Sequence, residues 1–217
     1  SLLPGVWWSY IPMENRVLYP QPLLSQWTSW QMVGAMCHEA AEARYTGPEG
    51  SSHVAEWLRG LRVHELSRES ADLLVKTVND MRINRMYMRR YPGSRFLLRL
   101  LYDAEPEFHP KTDVSIPSGS HRPRHHIYLD GLTWLWIDSM WPGSSKASNC
   151  VGGVAQALTQ TWEHVLNAVH CDEIGDMLGR LETDVIGVYA ELVNTWDPEA
   201  PAENVSTMSA SEVGGEF

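Results

Sequence analysis

Apolar residues recur along this chain at two different periods. Val6-Trp7-Trp8-Ser9-Tyr10-Ile11 is aromatic and β-branched, and Arg16-Val17-Leu18-Tyr19 is a second short run of the same kind. Pro12-Met13-Glu14-Asn15 between them carries turn chemistry, so the pattern predicts a β-hairpin. Pro20 and Pro22 end it, because proline removes a donor from the ladder.

From residue 23 to 45 the period lengthens to that of a helix. Trp27, Trp30, Gly34, His38, Ala41, Glu42 and Tyr45 fall at steps of three or four. This spacing puts His38 and Glu42 on one face, on the side that Trp30 and Gly34 also line. Small residues between Gly34 and Ala43 permit close approach of a neighbouring element. Thr46-Gly47-Pro48 is a stop signal, with residues 49–52 as loop. A helix over 54–66 follows, with Trp57, Leu58 and Leu61 inward. After a cap-like stretch at 67–70, a longer helix over 69–91 carries the stripe Leu73, Leu74, Thr77, Met81, Asn84 and Met88. Pro92-Gly93 punctuates it, and 96–102 continues as apolar helix.

Residues 104–124 are rich in proline, glycine and histidine and read as a loop insertion. The apolar run 127–141 does not reveal its period, but its length favours a buried helix over a strand. Two amphipathic helices over 154–169 and 174–196 complete the pattern. Residues 197–217, rich in Pro, Ser, Glu and Gly, read as a disordered tail. The expectation is a single domain over 1–196, mainly α with a short N-terminal β-hairpin.

Composition narrows the classes. At 217 residues the chain is long enough to bury a real core. Its net charge of −10 argues against nucleic acid as a bulk partner. Six arginines crowd 82–99, but they are spread around the helix and read as a solvated, ion-paired face. The ten tryptophans read as packing. Cys37, Cys150 and Cys171 are widely spaced and form no C-x-x-C, so a reducing, cytoplasmic setting is expected. No apolar run reaches transmembrane length, so no membrane partner is expected.

The candidate chemistry lies at Cys37-His38-Glu39-Ala40-Ala41-Glu42. H-E-A-A-E is one residue away from the H-E-x-x-H of zinc metallopeptidases, in which two side chains four apart grip one ion and the adjacent Glu is the general base. Glu42 replaces the second His, and a carboxylate also ligates zinc. The plainer reading is a partly solvated polar face. Asp80 sits in the middle of the long helix, where Asp has poor propensity. Its plainer role is an ion pair with Arg82 or Arg85. His53 and His64 read as surface or core-edge residues. His121, His125 and His126 read as part of a solvated loop, and Asp113-Val114-Ser115-Ile116-Pro117 fails as a D-x-S-x-S metal motif because proline closes it.

H-E-A-A-E-A-R-Y-T, followed by N-D-M-R-I-N-R-M-Y-M-R-R-Y-P-G-S-R, resembles the N-terminal metallopeptidase-like region of CobT-type proteins, which include cobaltochelatase subunits and CobT-like proteins of bacteriophages. The likeness covers roughly residues 18–95. It implies a zincin-like α+β fold and a peptidase-like, metal-dependent hydrolase. His38 takes the place of the first ligand, Glu39 that of the general base, Glu42 that of the second ligand and Asp80 that of the third. Asn79 and Asn84 stand where that family often has Glu. With one imidazole and two carboxylates, the implied ion is Zn²⁺, Mn²⁺ or Mg²⁺, or the site is eroded and holds none. The second expectation is therefore a non-catalytic scaffold that binds a protein or peptide partner in a viral or chelatase-type assembly.

Overall fold

The computed structural model describes residues 2–5, 8–21, 27–61, 66–104, 123–142, 148–195 and 205–208. At the N-terminus, β2 (Ser9–Ile11) and β3 (Arg16–Pro20) pair antiparallel, with Tyr10 opposite Val17. A single 3₁₀ turn at Pro12–Glu14 joins them, and Asn15 closes it in the left-handed conformation at φ 48°. This is the expected hairpin. A third strand, β1 (Leu2–Gly5), lies parallel on the other side of β3 and was not expected. Its four residues include a proline and a glycine and carry no alternation.

Helix α1 (Ser29–Tyr45) opens on a capping box. The Thr28 hydroxyl accepts from the Gln31 amide at 3.3 Å, and the Gln31 side chain accepts from the Thr28 amide at 2.7 Å. Thr46 and Gly47 break the helix as the sequence indicates, with Gly47 at φ 55°. Pro48 then begins a new helix instead of a loop: α2 runs Gly47–Gly60, so residues 49–52 are helical. Proline suits the first helical turn, where its missing N–H has no partner to lose.

Helix α3 (Arg68–Arg90) is capped by the Ser67 hydroxyl, which accepts from the Ser70 amide at 3.0 Å. After Pro92-Gly93, α4 (Ser94–Ala104) folds back across α1. Their approach depends on Gly34, where an added Cβ would lie 2.3 Å from the Leu97 carbonyl oxygen. Helix α5 (Arg124–Met140) confirms the apolar run as a buried helix. Helix α6 (Gly152–Val169) agrees with its pattern. The last expected helix is two, α7 (Ile174–Asp184) and α8 (Ile186–Asn194), because the backbone bends at Val185. A two-stranded ladder pairs β4 (Ser148–Val151) with β5 (Val205–Met208), antiparallel. Those four residues of the expected tail are therefore a strand; 196–204 and 209–217 lie outside the described residues.

The chain is thus mainly helical with a small N-terminal sheet. Helix α3 is its axis, packed by α1, α2, α4, α5, α6 and α7. Trp136, Trp162, Tyr128 and Tyr189 are fully buried around it. Two of the buried hydroxyls are satisfied: Tyr128 pairs with Thr161 at 2.7 Å, and Tyr189 donates to the Ser70 carbonyl at 2.9 Å. The aromatic richness of the sequence is in good part core packing. The side expected to face the site is less uniform: Gly34 is buried, but Trp30 is 62% exposed.

Candidate functional site

Helices α1 and α3 pack side by side, and the helical repeat decides which side chains meet between them. His38 and Glu42 are one turn apart on α1, with Glu39 beside them on the buried flank. Opposite, α3 presents Asn79, Asp80, Arg82 and Asn84. His38 Nε2 lies 4.0 Å from Asp80 Oδ1. His38 Nδ1 lies 3.0 Å from Asn84 Oδ1, while Asn84 Nδ2 donates to the Tyr102 hydroxyl at 2.7 Å. Because the Asn84 amide N–H₂ is turned to Tyr102, its oxygen faces the imidazole, and Nδ1 is the donating nitrogen. Nε2 faces Asp80 and points a proton at that carboxylate when the ring is charged.

Asp80 does not pair with Arg82 or Arg85, as the plainer reading held. Its side chain is 49% exposed, so this end of the cluster opens to solvent. Glu39 closes the other end, at 5% exposed. The backbone of Tyr10 favours its charged form, and β2 packs against α1, so the N-terminal hairpin reaches the site.

Four ionisable groups in one crevice perturb one another. Burial pushes Glu39 up to about 7; Asp80 and Glu42 push it the same way, against the pull of His38. Glu42 also rises to about 7, through burial first and then the Asp80 charge. Asp80, half exposed, is raised by the desolvation of its site-facing side and opposed by His38 and Lys76. Burial works against the His38 imidazolium, but Asp80, Glu39, the Asn84 bond and Glu42 outweigh it and the net direction is upward. The crevice therefore holds an excess of negative charge and accepts cations or protons.

Behind Glu42 lies a network that the sequence reading missed. Glu42 Oε2 accepts from the Thr46 hydroxyl at 3.3 Å and from Asn79 Nδ2 at 3.3 Å. Arg82, 0% exposed, donates to Asn79 Oδ1 from Nε at 3.1 Å and from Nη2 at 3.0 Å. The expected arginine face is thus only partly a surface. Arg89, Arg90, Arg95 and Arg99 are exposed, Arg82 is interior, and Arg85 caps α6 by donating to the Val169 and His170 carbonyls at 3.0 Å each. The signal for Arg82 was present in the spacing, since Ala71, Val75, Val78 and residue 82 form one buried stripe.

Two further expectations change. His125 is not in a loop but in the first turn of α5, 8% exposed, with its ring edge-on to His126 at 4.5 Å. His53 is exposed on α2, as expected. His64, His121 and residues 113–117 lie outside the described residues.

Among the described residues, no three His, Cys, Asp or Glu side chains are already gathered as one metal ion requires. His38 and Asp80 have a separation that two donors of one ion can take, each donor lying about 2 Å from the ion. Glu42 is instead turned to Thr46 and Asn79, with both hydrogen bonds on Oε2. Two candidate donors thus face each other, with a third carboxylate adjacent but turned away. Comparison with protein-family models, with curated proteins and with solved structures finds no match to this chain. Among the described residues, no helix is long and apolar enough to cross a membrane.

Proposed function

We propose that this is a CobT-like, zincin-type domain whose α1–α3 crevice is the divalent-cation centre of a peptidase-like hydrolase. His38 and Asp80 are the primary donors, Glu42 is the third, and Glu39 is the general base. One observation carries the reading: His38 is held by Asn84 through Nδ1 so that Nε2 faces the Asp80 carboxylate at 4.0 Å. That is how protein scaffolds orient a metal-ligating histidine, with the second ring nitrogen fixed by a neighbouring acceptor. The oxygen-rich donor set suits Mn²⁺ or Mg²⁺ as well as Zn²⁺. When bound, the ion supplies Lewis-acid polarisation of the scissile group. Glu39, held near 7 by its burial, is poised to take a proton from water at neutral pH. A protein or peptide is the substrate class, by the same resemblance.

The test is metal titration of chelator-stripped protein followed by calorimetry with Zn²⁺, Mn²⁺ and Mg²⁺. One equivalent should bind to the wild type and to Glu39→Gln, but not to His38→Ala. Glu39→Gln should lower hydrolysis of a generic peptide pool at least ~100-fold with its metal content unchanged. Failure of all three ions to bind at millimolar concentration overturns the proposal.

A second reading has its own observation. Thr46 and Asn79 both donate to Glu42 Oε2, bonds that would serve to fix α1 against α3 in a non-catalytic scaffold. It predicts that Glu39→Gln leaves every measured property of the domain except pH dependence unchanged.

A further inference from the structure

Glu42 stands where a two-histidine motif carries its second imidazole, and its surroundings suit a carboxylate. Asn79 Nδ2 donates to the Thr46 hydroxyl at 2.8 Å, which itself donates to Glu42 Oε2, and to Oε2 directly at 3.3 Å; the amide is not free to turn, because its Oδ1 accepts two bonds from Arg82. The other bonds of Arg82 go to neutral acceptors. Nη2 donates to the Tyr45 carbonyl at 2.9 Å, and Nη1 donates to the Asp172 carbonyl at 2.8 Å and to Met86 sulfur at 3.5 Å. Burial works against the Arg82 charge, and Glu42 is the carboxylate that favours it most, ahead of Glu173. The Asn79 amide lies between Arg82 and Glu42, oxygen toward the cation and N–H₂ toward the anion, so its dipole links the two charges. The side chains meet because α3 carries Asn79 and Arg82 three residues apart on the face that packs against the end of α1.

We infer that Asn79 and Arg82 are positioning residues for Glu42, together forming a built receptor for a carboxylate at that position. Glu42 in place of histidine is then a change of donor type with its own support, not the loss of a site. The role of Glu42 as a donor rests on the proposed function; the receptor itself requires no ion.

The experiment separates the two. Asn79→Ala, Glu42→Ala and the double variant are melted in buffer with chelator. Asn79→Ala removes the link while leaving Arg82 its carbonyl partners, so folding is retained. The receptor predicts a fall in Tm for Asn79→Ala in the wild-type background and a clearly smaller fall when Glu42 is already Ala. The Asn79 side-chain amide signal, assigned by its absence in Asn79→Ala, should also move in the ¹H–¹⁵N spectrum of Glu42→Gln. Equal Tm losses in both backgrounds, or an unmoved amide signal, overturn the inference. With Mn²⁺ as probe, Asn79→Ala should weaken binding about 10- to 100-fold. If the wild type binds no Mn²⁺, Mg²⁺ or Zn²⁺, the proposed function falls while the chelator-buffer comparison still decides the receptor.

Discussion

Glu39 and Glu42 are carboxyl groups that the fold holds near neutrality, and the protonation of the crevice has a measurable consequence. In the unfolded chain both ionise from the ordinary value of 4.5, whereas in the folded protein both do so near 7. Between those values the folded state keeps protons that the unfolded state has released, so their stabilising contribution is complete below about pH 4.5 and is lost as pH rises through 7. His38, raised from 6.5, and Asp80, raised from 3.8, act in the same direction. The metal-free protein is therefore expected to lose stability between pH 5 and pH 8, to which Glu39 contributes on the order of 3 kcal/mol. Urea midpoints at the two pH values measure this. Glu39→Gln should be more resistant than the wild type at pH 8 and should show a shallower decline. A wild-type midpoint that rises with pH would contradict the assignment.

The pairing of α1 with α4 rests on a single missing side chain. An alanine at Gly34 gains roughly 1 kcal/mol in helix propensity. It also drives a Cβ to 2.3 Å from the Leu97 carbonyl oxygen, and backbone gives way less readily than a side chain. Forced overpacking typically costs ~1–3 kcal/mol, and here the helices themselves must separate. Gly34→Ala is expected to be net destabilising, with a lower denaturation midpoint. Thr28→Ala should cost about 1 kcal/mol through loss of the capping box, without touching the α1–α4 contact. A Gly34→Ala protein as stable as the wild type would show that α1 and α4 can shift apart freely.

For the whole molecule, the crevice joins elements distant in sequence, so an ion bound there stabilises the assembly of α1, α3 and the N-terminal hairpin together. A ligand bound only by the folded state adds about 2.7 kcal/mol at a hundred times its dissociation constant. Because metal at the proposed donors competes with the protons that the fold favours on His38 and Glu42, the rise in Tm on adding Mn²⁺ should be larger at pH 8 than at pH 6. Differential scanning calorimetry at both pH values checks this. His38→Ala should abolish the increment at either pH. The same metal-induced shift in His38→Ala as in the wild type would place the ion elsewhere.

What the sequence determined alone is what depends on neighbours within a turn or two. Thr28 with Gln31 and Ser67 with Ser70 set two helix starts, Pro12 to Asn15 set the hairpin turn, and the four-residue step from His38 to Glu42 put both on one face. Asp80, a misfit in the middle of its helix by propensity, lies 4.0 Å from His38. Packing decided the rest. The stripe of Ala71, Val75 and Val78 runs on to Arg82 and, about two turns further, to the exposed Arg89; only the arrival of the Tyr45 and Asp172 carbonyls at Arg82 makes the interior tolerable for a guanidinium. The bend at Val185, the parallel strand β1 and the pairing of β5 with β4 likewise answer to partners far along the chain. Asn79 meets Glu42 across 37 residues, a separation at which periodicity carries no information and only the packing of two helices brings donor to acceptor.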